Sequence, residues 1–587
     1  MQVVKRDGSI EEFNVDKIIS AVEKAFKSCN KKMPQYLYDM LGALFGTLEG
    51  DTIGIEEIQN KVEDVLMNDK HFDVAKSYII YREQHKQARF IRERIDYMNE
   101  YSQSNENAAT SSETDANANV TMKNVANLEG EVYKTTNRVI QRQRMKDKLN
   151  EMYPEVAKKY EEDLNSHIIY THDEATTPVL KQYCMAVSLY PLMMEGVGNI
   201  DGITPTPPND LQSFSGQVTN LIFLLSSQCK GAVAVGEYFI ALNYYIVQEF
   251  GPNWYEKLDV ITTTEHCNKQ RTIRDAIYKA FKQFIYGVNQ PAGNRSYQSP
   301  FTNVSYYDHT YFDSLFGEFY YPDGTKPQWA AINILQKMFM KFFNKLRTKQ
   351  ILTFPVETLA MVHDGKDIID KEYKDFCAEM YAEGHSFFTY ISDSADSLAS
   401  CCRLRNELAE NTFNPTSGLT GVMTGSCNVI TLNINRIVQD CNKAYGLKRN
   451  GGWKENTSFL RDYLVDILQR VYKYHIALKT MLYELEDKGM FAASNGGYIH
   501  ISKLYSTIGV NGLNEAARFL DMTVGNNKEY IEFLQLVLGT IKEQNKLHSI
   551  HDANRPFLFN SEVVPAEGLG GKNYNWDKED GLEPMPM

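Results

Sequence analysis

The chain has 587 residues, of which 43% are hydrophobic and 23% charged, and this length predicts one large domain with at least one smaller one. Its net charge of −13 at pH 7 and its short apolar runs argue against a nucleic-acid partner and against a membrane span. Its nine cysteines, an odd number without a Cys-x-x-Cys pair, indicate reduced thiols of a cytoplasmic protein and offer no evident metal site in this chain.

The first hundred residues predict a small α+β unit. Residues 1–5 and 10–13 alternate like two strands around a turn at Asp7-Gly8. Asn14 or Asp16 can cap a helix whose apolar positions, from Ile18 to Phe26, repeat at helical spacing. Further helices are predicted at residues 56–67 and from about residue 72 through residue 81, with an extension to residue 97 as the longer alternative.

The composition then changes, because residues 102–119 contain no large apolar side chain and cannot offset the entropy of an ordered chain. We therefore expect a domain over residues 1–100, a flexible linker over 101–120 and a large domain over 121–587. The large domain alternates helical patterns with short β-rich runs, which favours an α/β architecture with largely parallel strands inside a helical shell. Helices are predicted at 132–149, 211–229, 235–250, 271–287, 328–347 and 457–485, and strands at 168–172, 351–354, 386–391 and 428–434. The aromatic stretch 306–321 predicts an inserted hairpin or lid, or equally an ordinary surface excursion.

Several cations of the first unit fall where its predicted elements begin or turn. If the elements pack together, Lys5, Arg6, Lys17, Lys76 and Arg82 converge on one rim, which suits a triphosphate. The charges alone favour the plainer interpretation of solvated surface groups.

The longer pattern in the first unit changes this interpretation. Residues 3–18, 55–59 and 74–82 closely resemble the ATP-cone, the allosteric domain at the front of many ribonucleotide reductases. The resemblance implies binding of ATP and dATP, with Mg²⁺, as opposed signals of activation and inhibition. By position, the residues at the nucleotide would be Val4, Lys5, Arg6, Asn14, Lys17, Gln59 and Lys76.

Two distant cysteine positions suggest radical chemistry. Cys401 and Cys402 follow a stretch of small polar residues and precede Arg403, while Cys184 follows Tyr170-Thr-His-Asp173. A thiyl radical has an S–H bond similar in strength to a ribose C–H bond, so hydrogen transfer between them is nearly balanced once the atoms are held in contact. A second thiol on the opposite face can deliver a proton and a reducing equivalent. Taken singly, each cysteine is more often a small buried hydrophobe.

An ordered series of motifs runs from Tyr170-Thr-His-Asp173 through Ser226–Gly231, Gln298–Thr302 and Cys401-Cys-Arg403 to Asn428–Asn433. This series resembles the anaerobic (class III) ribonucleoside-triphosphate reductases, a glycyl-radical enzyme family. The resemblance implies a ten-stranded α/β barrel whose central finger loop carries the thiyl cysteine. By motif, Cys402 would be that cysteine and Cys184 its partner on the facing strand. Ser299 and Thr302 would lie near the substrate phosphate or the barrel mouth, with Cys401 and Arg403 also at the substrate.

The same resemblance implies reduction of ribonucleoside triphosphates to their 2′-deoxy equivalents. It also implies a homodimer or larger oligomer, a radical-SAM activase with a [4Fe–4S] cluster, and formate or a small redox protein as reductant. Gly425-Ser-Cys-Asn428 stands where formate-using members carry Met-Asn-x-Gly, which leaves the reductant open. No zinc-binding cysteine pairs and no glycyl-radical loop precede Met587, so we expect zinc and the radical on a C-terminal segment outside this sequence.

Two alternatives compete with this interpretation. The first is a non-catalytic protein that senses ATP and dATP and regulates a partner, which gains weight only if the gene ends at Met587. An aerobic class I or class II reductase fits less well, because the Asn-x-Cys-x-Glu finger and the C-terminal cysteine pair of those enzymes are absent from the sequence.

Overall fold

The chain divides into two compact units, Met1–Asn105 and Glu106–Met587. The structure, a computed structural model, describes residues 2–4, 10–46, 52–103, 125–197, 206–263, 270–292, 298–395, 397–400, 404–407, 413–414, 418–448, 452–563 and 568–585.

The first unit packs four helices on a three-stranded sheet. The strands are β1 (Gln2–Val4), β2 (Ile10–Glu12) and β3 (Thr52–Gly54), and the helices are α1 (Val15–Ser28), α2 (Gln35–Gly46), α3 (Ile55–Asn68) and α4 (Phe72–Gln103). Strand β1 lies between the other two, antiparallel to β2 and parallel to β3. The two predicted strands and three predicted helices are confirmed. Helix α2 was missed, although its buried Leu37, Leu41 and Phe45 recur every four residues.

Two details at the ends of these helices bear on the predictions. Asn14 caps α1, because its side-chain oxygen accepts a hydrogen bond from the backbone N–H of Asp16 at 2.8 Å. Helix α4 continues to Gln103, so residues 101–103 are helical where we predicted linker. Residues 104–120 of that predicted linker lie outside the described residues.

The second unit is built on one large mixed sheet. Its strands are β4 (Ile169–Thr171), β5 (Cys184–Ala186), β6 (Val233–Ala234), β7 (Ile261–Thr263), β8 (Gln270–Thr272), β9 (Thr302–Tyr307), β10 (Val356–Val362), β11 (Phe388–Ser392), β12 (Ser397–Ser400), β13 (Leu404–Glu407), β14 (Phe413–Asn414), β15 (Gly418–Leu419), β16 (Thr424–Asn433), β17 (Leu504–Asn511) and β18 (Phe559–Val563). Nine of them form the sheet, in the order β11-β10-β9-β6-β5-β16-β17-β18, with β4 also paired to β16.

The large sheet consists of two parallel groups. Strands β5, β6, β9, β10 and β11 run parallel to one another, as do β16, β17 and β18. The groups meet in opposite directions where β5 pairs with β16. The predicted α/β architecture with largely parallel strands is confirmed, and nine of the ten expected strands belong to this sheet over the described part of the chain.

A two-stranded hairpin, β12 with β13, lies against the large sheet. Cα atoms of β12 come within 8 Å of both β10 and β16, and those of β13 come within 8 Å of β16 and β18. In a flat sheet β10 and β16 would stand about 19 Å apart, because three strands separate them at roughly 4.8 Å a step. Contacts to both therefore indicate a sheet curled into a half-barrel around the hairpin.

Helices cover the outside of the curled sheet. They are α5 (Val125–Met152), α6 (Pro154–Asn165), α7 (Tyr190–Glu195), α8 (Leu211–Ser226), α9 (Tyr238–Phe250), α10 (Ile273–Val288), α11 (His309–Phe316), α12 (Trp329–Arg347), α13 (Lys371–Ala382), α14 (Ile434–Tyr445), α15 (Thr457–Asp487), α16 (Ala492–Asn495), α17 (Leu513–Phe519), α18 (Lys528–His548) and α19 (Leu569–Glu579). All six helices predicted for this unit are present, with boundaries shifted by a few residues.

Two predictions for this unit are wrong. Residues 351–354 are not a strand, because the N–H of Phe354 donates to Asn289 Oδ1 and Pro355 has no N–H; the strand starts at Val356. The aromatic stretch 306–321 is neither a lid nor a surface excursion. It comprises the end of β9, helix α11 and the residues that follow to 321. All of its Phe and Tyr rings except that of Tyr320 are buried in the core, Tyr306, Tyr307 and Tyr311 among them.

Candidate functional site

Cys184 is the first residue of β5, at the junction of the two parallel groups. It pairs with Ser426 of β16, and its side chain is 3% exposed. The backbone N–H of Ala232 donates a hydrogen bond to Cys184 Sγ at 3.3 Å. The thiol is therefore fixed in place on one face of the sheet.

This face differs from the one that packs against the helices. Cys184, Ala186, Ala232 and Ala234 form a separate small cluster, whereas the alternate residues of the same strands belong to the main core. Side chains alternate across a strand, so these four share one face. We call it the inner face, since the hairpin lies across strands on both sides of it.

Gly231 is required by the position of this thiol. A Cβ atom at residue 231 would lie 2.5 Å from Cys184 Sγ and 3.1 Å from the carbonyl oxygen of Tyr183. No side chain fits there without displacing the sulfur. This explains the glycine that closes the motif Ser226–Gly231.

The rest of the inner face is polar but buried. The strand register places Asn303 beside Ala234, and Ser305 beside Thr358, on the same side as Cys184. Ser426 Oγ lies 2.9 Å from Thr507 Oγ1 and donates to the carbonyl oxygen of Asn428 at 3.0 Å. Buried hydroxyl and amide groups of this kind suit a ligand that carries hydroxyl groups.

His172 extends the polar face just beyond β4. Its Nε2 hydrogen-bonds Thr431 Oγ1 at 2.7 Å, and its ring meets the rings of Tyr170 and Tyr183 edge-on. Burial lowers the pKa of His172 to about 4, so the imidazole is neutral at pH 7. The sequence motif contains this histidine but gave it no role. A titratable residue directly after a buried strand was the available signal.

The structure describes the strands on either side of the predicted catalytic loop, but not the loop residues themselves. Cys401, Cys402 and Arg403 lie outside the described residues, between the hairpin strands β12 and β13 in sequence. Their assignment to a finger loop, and the facing of Cys402 by Cys184, stay predictions.

Ser299 and Thr302 are placed by hydrogen bonds to the backbone. Ser299 Oγ donates to the carbonyl oxygen of Asn289 at 3.0 Å, and Thr302 Oγ1 donates to that of Pro300 at 3.1 Å. Thr302 begins β9 in register with Val233, on the helix-facing side of the sheet. Their predicted role near the substrate phosphate stays a prediction.

The predicted nucleotide residues of the first unit fall on several elements. Val4 ends β1 and its side chain is not described, and Lys5 and Arg6 lie outside the described residues. Lys17 on α1 lines a cavity of about 360 Å³ that is completed by Asp16, Ser20, Ala21, Lys24 and Tyr81. Gln59 on α3 is half-buried, and Lys76 on α4 is exposed.

Arg82 is already paired within the first unit. It therefore offers no free cation to a triphosphate, contrary to the prediction that it joins Lys5, Arg6, Lys17 and Lys76 around one site. Its guanidinium donates to Glu63 at 2.6 Å and to Asn60 at 2.9 Å, and it is paired with Glu56. The carboxylates satisfy the charge of Arg82 within the protein, so it connects α3 to α4.

Within the described ranges, no three His, Cys, Asp or Glu side chains are grouped so that they could hold a metal ion. No helix in the described part of the chain has the length and apolar character needed to span a bilayer.

The chain is similar to solved structures of anaerobic ribonucleotide reductases. The anaerobic ribonucleotide reductase from Thermotoga maritima, with citrate in the active site, is 25% identical with a TM-score of 0.65, covering 79% of this chain and 79% of that one. Its structure in complex with dATP and CTP is 26% identical with a TM-score of 0.65, covering 79% of this chain and 72% of that one.

Curated relatives match over shorter stretches. The anaerobic ribonucleoside-triphosphate reductase of Haemophilus influenzae is 36% identical over 96 residues, which is 16% of this chain and 14% of that protein. The vitamin B12-dependent ribonucleoside-diphosphate reductase of Thermoplasma acidophilum is 42% identical over 105 residues, 16% of this chain and 13% of that protein. The match thus spans less than one sixth of either relative's length.

Two family models account for nearly the whole chain. The ATP cone domain matches residues 1–87, and the anaerobic ribonucleoside-triphosphate reductase model matches residues 124–582. The second match covers well over half of the sequence and includes the entire curled sheet with its inner face. The chain therefore belongs to the family of anaerobic ribonucleoside-triphosphate reductases and carries an ATP-cone at its front.

Proposed function

We propose that the protein reduces ribonucleoside triphosphates to 2′-deoxyribonucleoside triphosphates by thiyl-radical chemistry, with ATP activating and dATP inhibiting. The observation that best supports this proposal is the buried Cys184 on an inner face of small and polar side chains. The hairpin that flanks residues 401–403 lies against the same sheet. Family membership favours this catalytic function over the non-catalytic sensor.

The proposed reaction begins at Cys402. A hydrogen atom moves from a ribose carbon next to the 2′ position to the sulfur of Cys402, so that a C–H bond breaks and an S–H bond forms. Cys184, from the facing strand, delivers a proton and a reducing equivalent as the 2′-hydroxyl leaves as water. Formate or a small redox protein supplies two electrons in all: one, with a proton, restores the Cys184 thiol, and the other, with a proton, completes the reduction of the sugar. Cys402 then returns its hydrogen atom to the ribose carbon.

The surroundings of Cys184 support these steps in two ways. The buried position of Cys184 keeps its thiol from bulk water, which protects reactive intermediates and strengthens hydrogen bonds within the site. The hydroxyl groups of Ser426 and Thr507 and the neutral imidazole of His172 present no net charge near the ribose. Ser299, Thr302, Cys401 and Arg403 are proposed to help hold the substrate.

The radical and the metal ions are proposed from the family. A glycyl radical, installed by a radical-SAM activase with a [4Fe–4S] cluster, would supply the oxidising equivalent for the Cys402 thiol. Zinc, like the radical, is proposed from the family resemblance alone. Mg²⁺ would accompany the nucleotide phosphates. We further propose a cytoplasmic homodimer or larger oligomer.

The ATP-cone is proposed to bind ATP or dATP beside α1. Lys17 and the neighbouring Lys24 face one cavity, which gives a triphosphate two cations at one site. Lys5, Arg6 and Lys76, with Val4, Asn14 and Gln59, are the further proposed contacts.

The test is to replace single cysteines in the activated enzyme and to measure CTP reduction without oxygen. Cys402→Ala and Cys184→Ala should each lower dCTP formation by at least a thousandfold, because no other group takes over hydrogen transfer. Cys377→Ala is the matched control: this thiol is buried in α13, where burial raises its pKa to about 12, and turnover should stay near the wild-type rate.

Turnover by the Cys402→Ala enzyme at the wild-type rate would exclude Cys402 from the proposed role. A Cys184→Ala enzyme that still forms dCTP would exclude the facing thiol. If the Cys377→Ala control lost as much dCTP formation as the other two variants, damaged folding would explain all three results.

A further inference from the structure

Asn303 holds an unused hydrogen-bond acceptor in the centre of the inner face. It is the second residue of β9 and is 0% exposed. Its side-chain oxygen, Oδ1, meets no donor among the described residues. A buried carbonyl oxygen without a donor carries a desolvation cost of roughly 1–3 kcal/mol, so its presence requires an explanation.

The orientation of this amide is fixed by its other end. Asn303 Nδ2 donates to the carbonyl oxygen of Val356 at 3.1 Å and to Thr358 Oγ1 at 2.8 Å. A backbone carbonyl only accepts hydrogen bonds, so the NH₂ group must face β10. Oδ1 consequently points away from the two acceptors on β10.

The neighbours of Asn303 along the inner face are small side chains. The register aligns Asn303 with Ala234 of β6, and Ala234 with Ala186 of β5, two residues from Cys184. Neither alanine can donate a hydrogen bond from its side chain. The serine hydroxyl opposite Cys184 is already engaged with Thr507 and the backbone. A bound molecule is thus the natural source of a donor.

We propose that Asn303 Oδ1 accepts a hydrogen bond from a ribose hydroxyl of the nucleotide substrate and so positions the sugar over Cys184. This inference rests on the proposed function and adds a residue to it. Asn303 acts here as a positioning residue: it orients the ribose and takes no part in proton or hydrogen-atom transfer.

The unpaired Asn303 Oδ1 predicts that the protein discriminates between CTP and analogues that lack one ribose hydroxyl. A site built to hydrogen-bond a hydroxyl disfavours an analogue that lacks it, since the acceptor then stays buried and unpaired. The 2′-deoxy and the 3′-deoxy analogue of CTP each remove one candidate hydroxyl. The analogue that loses affinity identifies which hydroxyl Asn303 holds.

The experiment measures equilibrium binding to the full chain without radical activation, by isothermal titration calorimetry. Wild-type protein should bind CTP more tightly than one of the two analogues. Asn303→Ala should reduce that preference about five- to tenfold, as expected for one neutral hydrogen bond, and should leave affinity for the disfavoured analogue nearly unchanged. Asn303→Ser provides a second variant if the alanine protein fails to fold.

Asn333→Ala is the matched control. Asn333 lies in α12 of the helical shell, and its Oδ1 also lacks a donor within the described residues. Removing it should leave discrimination unchanged, because it is remote from the inner face. Thermal unfolding of each variant checks that it is folded.

Three results would overturn the inference. A folded Asn303 variant that keeps full discrimination against both analogues would exclude the proposed hydrogen bond. An equal loss of affinity for all three nucleotides would indicate a structural role. A wild-type protein that binds none of them would overturn the proposed function as well.

Discussion

Glu237 illustrates how burial changes the chemistry of a single residue. It lies at the start of α9, completely enclosed, and one carboxylate oxygen accepts hydrogen bonds from the N–H of Leu189 at 2.7 Å and the hydroxyl of Ser188 at 3.0 Å. Burial raises the pKa of this carboxyl group to about 7, and the two hydrogen bonds oppose the rise without cancelling it. The protonated form is thus the one that the fold accommodates.

Glu237 should make stability depend on pH. Its folded pKa lies above the unfolded value near 4.5, so its stabilising effect is complete below pH 4.5 and is lost as pH rises through 7. The shift corresponds to roughly 3 kcal/mol. Urea unfolding between pH 5 and 8 should show that Glu237→Gln flattens this decline.

The exposed Glu543, paired with Arg461, provides the control. Glu543→Gln should leave the pH slope as in the wild type. A Glu237→Gln protein with an unchanged slope would contradict the assignment of a raised pKa to this residue.

Gly231 permits a second prediction at this scale, by a double-mutant cycle with Cys184. Gly231→Ala should lower the free energy of unfolding by about 1–3 kcal/mol, since its Cβ would press on Cys184 Sγ. In a Cys184→Ala background the sulfur is absent and the cost should shrink. Urea denaturation of the four proteins measures the coupling.

Gly539→Ala is the comparison substitution, because nothing lies within 4 Å of a Cβ at that position in α18. It should be neutral or slightly stabilising, as expected when alanine replaces glycine inside a helix. Additive effects of Gly231→Ala and Cys184→Ala would show that the two residues do not contact each other.

At the scale of elements, helix α19 is attached to α14 by a buried ion pair. Arg436 donates to Asp577 at 2.8 and 3.2 Å and to Asp580 at 2.6 Å, and Asn435 donates to the other oxygen of Asp577 at 2.8 Å. Arg436 and Asp577 are 3% and 1% exposed. Every polar atom of this pair that the geometry records has a partner, so loss of one member leaves a buried charge.

Removing Asp577 should therefore be far more damaging than removing Asp580. Asp577→Ala is expected to cost about 3–5 kcal/mol, because the Arg436 charge stays buried without its main partner. Asp580, whose side chain is 40% exposed, should cost less than about 1 kcal/mol when replaced by alanine. Chemical denaturation measures both; similar losses would contradict the difference in burial.

The sequence predicted helices well because their apolar residues repeat at a regular spacing, as in α10 and α12. It predicted strands less well, because both faces of this sheet are buried. Strand β9, Thr302–Tyr307, is buried at all six positions, yet polar and apolar residues alternate only from Asn303 to Tyr306, so it shows neither a long alternating pattern nor a continuous apolar run. The Cys184 site followed from resemblance. Asn303 did not, because its unmet acceptor depends on the register with β10, which no local pattern reveals.

At the scale of the whole molecule, two units with separate cores are joined in one chain. The first unit has its own buried cluster around Val22, Phe26, Leu37 and Leu41, and the second has a much larger one. A nucleotide bound to the first unit can affect the second only by binding two states of the whole protein with different affinity. The predicted opposed effects of ATP and dATP require such a difference.

We expect dATP, relative to ATP, to shift the distribution of oligomers, as measured by mass photometry at micromolar nucleotide. Lys17→Ala should weaken the response, because Lys17 faces the cavity beside α1. Lys158→Ala, at an exposed site on α6, should respond like the wild type. Identical mass distributions with the two nucleotides would contradict the switch.

The pairing of β5 with β16 also sets the order of events during biosynthesis. Ser426 follows its partner Cys184 by 242 positions (426 − 184), so β5 leaves the ribosome long before its neighbour. At translation rates of roughly 5–20 residues per second, the edge of β5 waits about 12–48 seconds for its partner. The nascent chain thus exposes an unpaired strand edge through the middle of its synthesis, and the two parallel groups of the sheet join only after β16 has emerged.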